Sequence, residues 1–255
     1  YMAVTYYYSP YVTVYKRAGN TFTKLADFEG NLEGYEVGVA FSAGGTYLAV
    51  AHFYWPYITV YKRAGDTFTK LADPANLPAG AGLGVAFSPD GVYLAVVHNS
   101  APYVTIYKRT GDTFTKLANP AVLPAGTGLG VAFSAGGIYL AVAHESSPYI
   151  TIYKRSGDTF TKLDNPADLP TGNGLDVALS SDGVYLAVTH FYSPYITIYK
   201  RSGDTFTKLD DPAVLPPDTG RGVAFSPDGT YLAVAYYSAP YVTIYKRTGD
   251  DFTKP

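Results

Sequence analysis

The chain has 255 residues, of which 47 % are apolar, and it carries a formal net charge of −2 and no cysteine. This charge gives no reason to expect binding to nucleic acid or to an anionic membrane, and no apolar run approaches the roughly 18 residues that a membrane-spanning helix needs. The absence of cysteine excludes disulfides and thiolate zinc sites.

A repeat of 46 residues runs through the whole sequence. The segment Tyr-Leu-Ala-Val recurs at this spacing, and its first residue is found at Tyr47, Tyr93, Tyr139, Tyr185 and Tyr231. A fixed period of this size is typical of solenoids, propellers and repeat arrays. The counterpart of this tyrosine is Tyr1, so the chain opens inside a repeat and without Met. We therefore expect a processed product or a piece of a longer protein or assembly.

In chain order, residues 1–25 contain three strand patterns, and each later repeat contains four. In the repeat at 84–117, the first pattern is a short β-branched and aromatic run, and the third alternates strictly between apolar and polar residues. Turn residues such as Pro-Asp-Gly separate the patterns, and a linker rich in Pro and Gly leads to the next repeat. The four predicted strands, A to D, span 84–88, 93–98, 103–109 and 113–117. No segment has a helical period.

Four short antiparallel strands per repeat indicate a β-propeller blade. We therefore predict an all-β fold with a single propeller domain over residues 1–255. The sequence holds six copies of strands B, C and D but five of strand A, which favours six blades with the inner strand of the first blade missing. Five blades are the alternative. The predicted blades I to VI span approximately 1–25, 38–71, 84–117, 130–163, 176–209 and 222–255.

One segment resembles known propeller repeats. The run Val-Ala-Phe-Ser-Pro-Asp-Gly-x-Tyr-Leu-Ala-Val, at 85–96 and 223–234, is similar to the A–B hairpin of WD40-like repeats and of the related lactonase-like (YVTN) propellers. The Trp-Asp dipeptide of true WD40 repeats is missing, since the only tryptophan is Trp55. The near-identical copies also resemble recently amplified propeller repeats of phage tail or surface proteins. The resemblance implies the fold and says little about function.

The copies differ mainly in the B–C loops and the D–A linkers, which lie on the same face of a propeller. The B–C loops of blades I, II, V and VI are aromatic, and these blades are consecutive in a six-bladed ring. We therefore predict a contiguous aromatic patch that binds a ligand, although aromatic packing that seals the ring is the alternative. The candidate ligand-binding residues are Tyr6, Tyr7, Tyr8, Tyr35, Phe53, Tyr54, Trp55, Phe191, Tyr192, Arg221, Tyr236 and Tyr237.

Four histidines occupy equivalent positions at the end of strand B, namely His52, His98, His144 and His190. Equivalent positions in neighbouring blades lie too far apart for one zinc ion, so we expect hydrogen bonding and predict no metal. The Lys-Arg pair that ends strand C is interpreted as a solvated edge.

Acidic residues appear at two places outside the repeat pattern. Glu29, Glu33 and Glu36 share the divergent linker 26–37 and would hold a cation, act as acid and base, or be solvated. In blade V, Asp176 and Leu179 replace the usual Gly and Phe. Asp176 is expected near the mouth of the channel, and the sequence assigns it no role.

These observations favour a non-enzymatic binding propeller without catalytic residues or cofactor. Its partner would be a glycan or a protein held on the aromatic patch, with no nucleic acid and no membrane insertion. An extracellular or virion-surface adhesin, lectin-like in character, fits this prediction. The alternatives are a structural scaffold or engineered symmetric propeller without a ligand, and a lactonase-like hydrolase.

Overall fold

The computed structural model describes residues 1–6, 8–26 and 36–255, with the backbone alone at residues 36 and 37. The described residues form 23 strands in six antiparallel sheets. Five sheets have four strands and the first has three, so the predicted six-bladed, all-β propeller is confirmed. One short 3-10 turn, Ala43–Gly45, is the exception to the all-β pattern.

The chain divides into two compact units, residues 1–119 and 120–255, and each contains three blades. The strands of the first unit are β1 (Met2–Thr5), β2 (Val12–Ala18), β3 (Thr21–Lys24), β4 (Glu36–Phe41), β5 (Tyr47–His52), β6 (Ile58–Ala64), β7 (Thr67–Lys70), β8 (Gly82–Phe87), β9 (Tyr93–His98), β10 (Val104–Thr110) and β11 (Thr113–Lys116). The strands of the second unit are β12 (Gly128–Phe133), β13 (Tyr139–His144), β14 (Ile150–Ser156), β15 (Thr159–Lys162), β16 (Gly174–Leu179), β17 (Tyr185–His190), β18 (Ile196–Ser202), β19 (Thr205–Lys208), β20 (Gly220–Phe225), β21 (Tyr231–Tyr236), β22 (Val242–Thr248) and β23 (Asp251–Thr253).

Within each complete blade the strands pair in the order A-B-C-D, and strand A begins two residues earlier than predicted. In blade III, Gly82 pairs with His98 and Gly84 pairs with Val97, so Leu83 forms a β-bulge. A bulge interrupts the alternation on which the prediction depended, and this explains the missed start.

The first glycine of strand A is fixed by a close approach between neighbouring blades. A Cβ atom on Gly82 would clash with the carbonyl oxygen of Tyr57 in the preceding blade. Tyr57 itself has a left-handed backbone, with φ of 70°, and its carbonyl accepts a hydrogen bond from the N–H of His52. Strand A therefore starts where only glycine leaves room for the neighbouring loop.

The core lies between successive sheets. In the first unit, Tyr47 and Ile58 of blade II pack against Leu94, Tyr107 and Phe114 of blade III. The same arrangement occurs between blades V and VI. Each fully buried side chain of this size contributes roughly 1.5–3 kcal/mol relative to an exposed one, so the blade-to-blade faces supply most of the stabilising burial.

The Lys-Arg pair of strand C begins at an exposed edge, as its interpretation as a solvated edge expects, and the pair also links neighbouring blades. Lys62 of blade II donates to the Asp112 carboxylate of blade III at 2.7 Å, and the Tyr47 hydroxyl donates to the same carboxylate at 2.7 Å. The Arg109 guanidinium of blade III lies 4.8 Å from the centroid of the Tyr47 ring. The hydrogen bonds from Lys62 and Tyr47 lower the pKa of Asp112. The lysines are half exposed, but their position is set by the next blade.

Among the residues that the structure describes, no helix has the length and apolar character needed to cross a lipid bilayer.

Candidate functional site

The inner strand of blade V contains the clearest departure from the repeat. Asp176 of β16 stands where the other complete blades have glycine. Its cross-strand partner on β17 is Thr189, where the other complete blades have Ala or Val and the incomplete first blade also has a threonine, Thr5. Among the complete blades, both substitutions occur in blade V alone, and they face each other across one strand pair. Asp176 lies on the first strand of its sheet, which is the inner strand of a propeller blade.

The Asp176 carboxylate is held by backbone groups on two strands. Oδ1 accepts a hydrogen bond from the N–H of Val177 at 2.8 Å, and Oδ2 accepts one from the N–H of Val223, on β20, at 2.9 Å. The Thr189 hydroxyl donates to the backbone carbonyl of Asp176 at 3.5 Å, which is a weak contact. Hydrogen bonds to both carboxylate oxygens therefore fix the orientation of the Asp176 side chain.

Glycines on the two neighbouring inner strands make room for this side chain. A Cβ atom on Gly130 of β12 would lie 2.6 Å from the Asp176 Cα and 2.8 Å from its Oδ1. On the other side, a Cβ atom on Gly222 of β20 would lie 3.8 Å from Oδ2. Asp176 thus occupies a space that the repeat leaves empty of side chains.

Burial raises the pKa of Asp176 to about 6, although the two backbone N–H donors act in the opposite direction. The side chain is half-buried. A carboxyl group that titrates near neutral pH can accept a proton in one step and return it in another, which is the property of a general base or acid.

A second group of unusual residues lies in blade VI. Arg221 occupies the bulge position between Gly220 and Gly222, where other blades have an aliphatic residue, and its guanidinium lies 4.2 Å from the centroid of the Tyr237 ring. Asp218 of the same linker accepts a hydrogen bond from Ser238 at 2.7 Å. The structure thus brings two predicted residues, Arg221 and Tyr237, together on the face where strand A begins.

The other predicted aromatic residues form separate clusters within each unit. Phe53 and Tyr54 have ring centroids 5.7 Å apart, and Phe191 and Tyr192 have centroids 5.2 Å apart. Trp55 is 70 % exposed. The exposed residues of the predicted set are Tyr6, Tyr8, Phe53, Tyr54, Trp55, Phe191, Tyr192, Arg221 and Tyr237. The halves of the predicted patch belong to different units, and its continuity stays a prediction.

Three predicted positions differ from this pattern. Tyr236 is buried rather than exposed, because its hydroxyl hydrogen-bonds Thr243 at 2.8 Å inside the blade. Tyr7 and Tyr35 lie outside the described residues, as do Glu29, Glu33 and the side chain of Glu36.

The hydrogen-bonding role predicted for the histidines is confirmed. In blade III, His98 Nε2 lies 2.9 Å from the Thr105 hydroxyl and Nδ1 lies 2.8 Å from the Ser100 carbonyl oxygen. Burial lowers the pKa of His98 to about 4, so the ring is neutral at physiological pH. Tyr236 makes the equivalent threonine contact in blade VI. Within the described ranges, no group of three or more His, Cys, Asp or Glu side chains is arranged to hold a metal ion.

Comparison with known proteins identifies the family. Residues 10–252 match the model of the family described as "Lactonase, 7-bladed beta-propeller". This match covers nearly the whole chain, and the chain belongs to this family. No curated protein matches the sequence.

Several solved structures share the fold. A proposed 6-phosphogluconolactonase from Bacteroides uniformis is 18 % identical, with a TM-score of 0.76, over 95 % of this chain and 76 % of its own. A protein from Lactobacillus plantarum is 19 % identical, with a TM-score of 0.75, over 96 % and 76 %. The periplasmic gluconolactonase of Pseudomonas aeruginosa is 19 % identical, with a TM-score of 0.71, over 95 % and 75 %.

The family corrects the main functional prediction. A non-enzymatic binding propeller is wrong, and so is the prediction that the chain is not an enzyme, because the matched family is one of lactonases. The alternative of a lactonase-like hydrolase agrees with this family. The sequence argument failed because it searched for a cluster of reactive residues and gave the resemblance to lactonase-like propellers no functional weight.

Proposed function

We propose that this protein is a hydrolase that opens lactone rings, with Asp176 as the group that transfers the proton. The observation that carries the proposal is the half-buried carboxylate on an inner strand, held by two backbone N–H groups, with a pKa raised by burial to about 6. Membership of a lactonase family supports the reaction type. Roles on a phage tail, as an adhesin or as a lectin do not form part of the proposal.

The chemistry of lactone hydrolysis suits such a group. Water attacks the carbonyl carbon, the ring C–O bond breaks, and the product is an open hydroxy acid. Ionised Asp176 would take the proton from the attacking water and then return it to the ring oxygen as the C–O bond breaks. A positioned general base of this kind contributes about 10²- to 10⁴-fold to the rate.

Other residues of the second unit would bind the substrate. Arg221 precedes Gly222, the glycine beside Asp176 Oδ2, and a guanidinium there is suited to stabilise the negative charge that develops on the carbonyl oxygen. Phe191, Tyr192 and Tyr237 are exposed on the face where strand A begins, and aromatic rings offer rigid, amphipathic surfaces to a sugar-like ring. The predicted ligand-binding residues thereby become candidates for substrate binding.

The experiment is lactone hydrolysis by the wild type and by Asp176→Asn, with D-glucono-1,5-lactone and a simple five-membered lactone as substrates. Acid release in a pH-stat gives the rate above the spontaneous one. We expect the Asn variant to lose about 10²- to 10⁴-fold in kcat. Asp210→Asn, at an exposed position of the linker that follows the same blade, is the matched control and should keep full activity.

Two results would count against the proposal. Wild-type protein that adds nothing to the spontaneous rate for either lactone would exclude the reaction for these substrates. An Asp176→Asn variant as active as the wild type would leave the reaction but remove Asp176 from it.

A further inference from the structure

Blade V carries a pair of exposed aromatic rings in the loop that follows β17. Phe191 and Tyr192 are 44 % and 59 % exposed, and their ring centroids lie 5.2 Å apart in an edge-to-face arrangement. This is a favoured geometry for two aromatic side chains. The two rings are called the aromatic platform below, and all the contacts that define it lie within the unit of residues 120–255.

Two threonine hydroxyls hold the backbone of this loop, one from each neighbouring linker. The Thr171 hydroxyl donates to the Ser193 carbonyl oxygen at 2.8 Å. The Thr219 hydroxyl donates to the Phe191 carbonyl oxygen at 3.1 Å. The linkers before blades III and IV have alanine at the position of Thr171, so this hydrogen bond is not a general property of the repeat.

The Tyr192 ring is also fixed from below by the linker. A Cβ atom on Gly172 would lie 2.5 Å from Cδ2 of this ring, so the ring packs directly on the linker backbone. His190 Nδ1 lies 2.8 Å from the carbonyl oxygen of Tyr192, which holds the loop at a third point. An aromatic surface whose backbone and ring are already fixed binds a ring-shaped ligand with little further loss of conformational entropy.

Two backbone segments connect the aromatic platform to the Asp176 carboxylate. Along β17, Thr189 is the cross-strand partner of Asp176, and Phe191 follows two residues later, which is roughly 7 Å at the rise of a strand. In the next blade, the N–H of Val223 binds Asp176 and the hydroxyl of Thr219 binds Phe191. These two residues are four positions apart, which is at most roughly 14 Å. The platform therefore lies beside the carboxylate, with room for a second ring beyond a lactone bound there.

We propose that the aromatic platform binds the second sugar of a disaccharide lactone, and that such lactones are the preferred substrates. In the 1,5-lactone of a 1,4-linked disaccharide, the second sugar is attached at C4, across the ring from the carbonyl carbon C1 that water attacks. With C1 at Asp176, the second sugar extends away from the carboxylate toward the two aromatic rings. The platform and the threonines that hold it are uncharged, which suits the C–H face of a sugar. This inference rests on the lactone hydrolysis proposed above and adds the substrate class.

The test compares cellobiono-1,5-lactone with D-glucono-1,5-lactone as substrates, using initial rates in a pH-stat. We expect the wild type to have a KM about tenfold lower for the disaccharide lactone, because the second sugar adds contact with the aromatic rings. Tyr192→Ala should raise the KM for cellobiono-1,5-lactone about tenfold more than the KM for glucono-1,5-lactone. Ile138→Ala is the control. It shortens a side chain that is 45 % exposed in the turn between β12 and β13, at the opposite end of its sheet from the B–C loop, and it should keep the preference of the wild type.

The threonine that holds the loop gives a second measurement. Thr171→Ala removes the hydroxyl and should reduce the preference for the disaccharide lactone, whereas Thr171→Ser keeps the hydroxyl and should retain the preference. A role in stability alone would change the melting temperature and leave the preference between the two lactones as in the wild type.

The outcomes separate this inference from the function on which it rests. Hydrolysis of glucono-1,5-lactone without any preference for cellobiono-1,5-lactone would overturn the inference and leave the proposed function intact. Equal losses of affinity for both lactones in Tyr192→Ala would also overturn it, because the platform would then bind the lactone ring itself. A preference that Tyr192→Ala and Thr171→Ala both leave unchanged would overturn the location. Hydrolysis of neither lactone would overturn the proposed function and this inference with it.

Discussion

Replacing Asp176 by glycine, the residue of the other complete blades, should change how stability depends on pH. The pKa of Asp176 is raised by burial from 3.8 to about 6, so the folded state holds its proton more tightly than the unfolded state does. Stability from this group is therefore present below pH 3.8 and is lost as the pH rises through about 6. A shift of about two pKa units corresponds to a total loss of about 3 kcal/mol of folding stability, which is complete above pH 7. About 2 kcal/mol of this loss falls between pH 4 and pH 8.

The measurement is urea unfolding of the wild type and of Asp176→Gly at pH 4 and at pH 8. We expect the glycine variant to gain stability relative to the wild type as the pH rises. The difference between their free energies of unfolding (variant minus wild type) should be about 2 kcal/mol larger at pH 8 than at pH 4. The extra backbone entropy of glycine, roughly 1 kcal/mol, is the same at both pH values and cancels in this difference. Equal pH dependence in the two proteins would mean that Asp176 titrates normally, and the argument that burial prepares it for proton transfer would fail.

Two further predictions concern contacts between neighbouring blades. Gly82→Ala should destabilise the protein by clearly more than Gly111→Ala, because the new Cβ at position 82 meets the Tyr57 carbonyl. At Gly111, with φ of 59°, there is free space, and the alanine bears only the cost of about 1 kcal/mol for a left-handed backbone. Equal losses of melting temperature in the two variants would contradict the close approach. Lys62→Met should raise the pKa of Asp112 toward its ordinary value, since the hydrogen bond from Lys62 is the main cause that lowers it. The measurement is an NMR titration that follows the carboxyl carbon chemical shift of Asp112. An unchanged pKa in the variant would mean that the two groups do not interact.

Much of the fold could be predicted because each strand and turn pattern occurs in several copies along the sequence. The alternation of strand C and the Pro-Asp-Gly turn placed strands B to D within one residue of their observed ends in blade III. The predicted start of strand A was two residues too far along the chain, because the bulge at Leu83 breaks the period of two. The glycine at the true start is required by the close approach of the Tyr57 carbonyl, which belongs to another blade. Contacts between blades are not visible in the pattern of a single blade.

The same limit explains the candidate site. The sequence singled out Asp176 and gave it no role, because its unusual pKa depends on burial and on the N–H of Val223, which is 47 residues away. Tyr236 was expected to bind a ligand because it was counted with the aromatic B–C loop of blade VI, but its hydroxyl replaces a histidine nitrogen in the contact with threonine. A departure from the repeat shows which residue has been substituted, but the contacts on neighbouring strands determine its burial, its hydrogen bonds and its pKa.

The glycines of the inner strands explain how one substitution can create a reactive group in an otherwise uniform repeat. Gly130 and Gly222 flank Asp176 on adjacent strands, and neither has a side chain that would compete for its space. At position 176 the carboxylate meets two backbone N–H donors, whereas a side chain at Gly130 would lie 2.6 Å from the backbone of the next inner strand. An enzyme of this architecture does not require a cluster of unusual residues in its sequence, because the repeated backbone supplies most of the surroundings. Proton-transfer residues in near-identical propellers should therefore be sought where a glycine of the inner strand is replaced by a titratable residue.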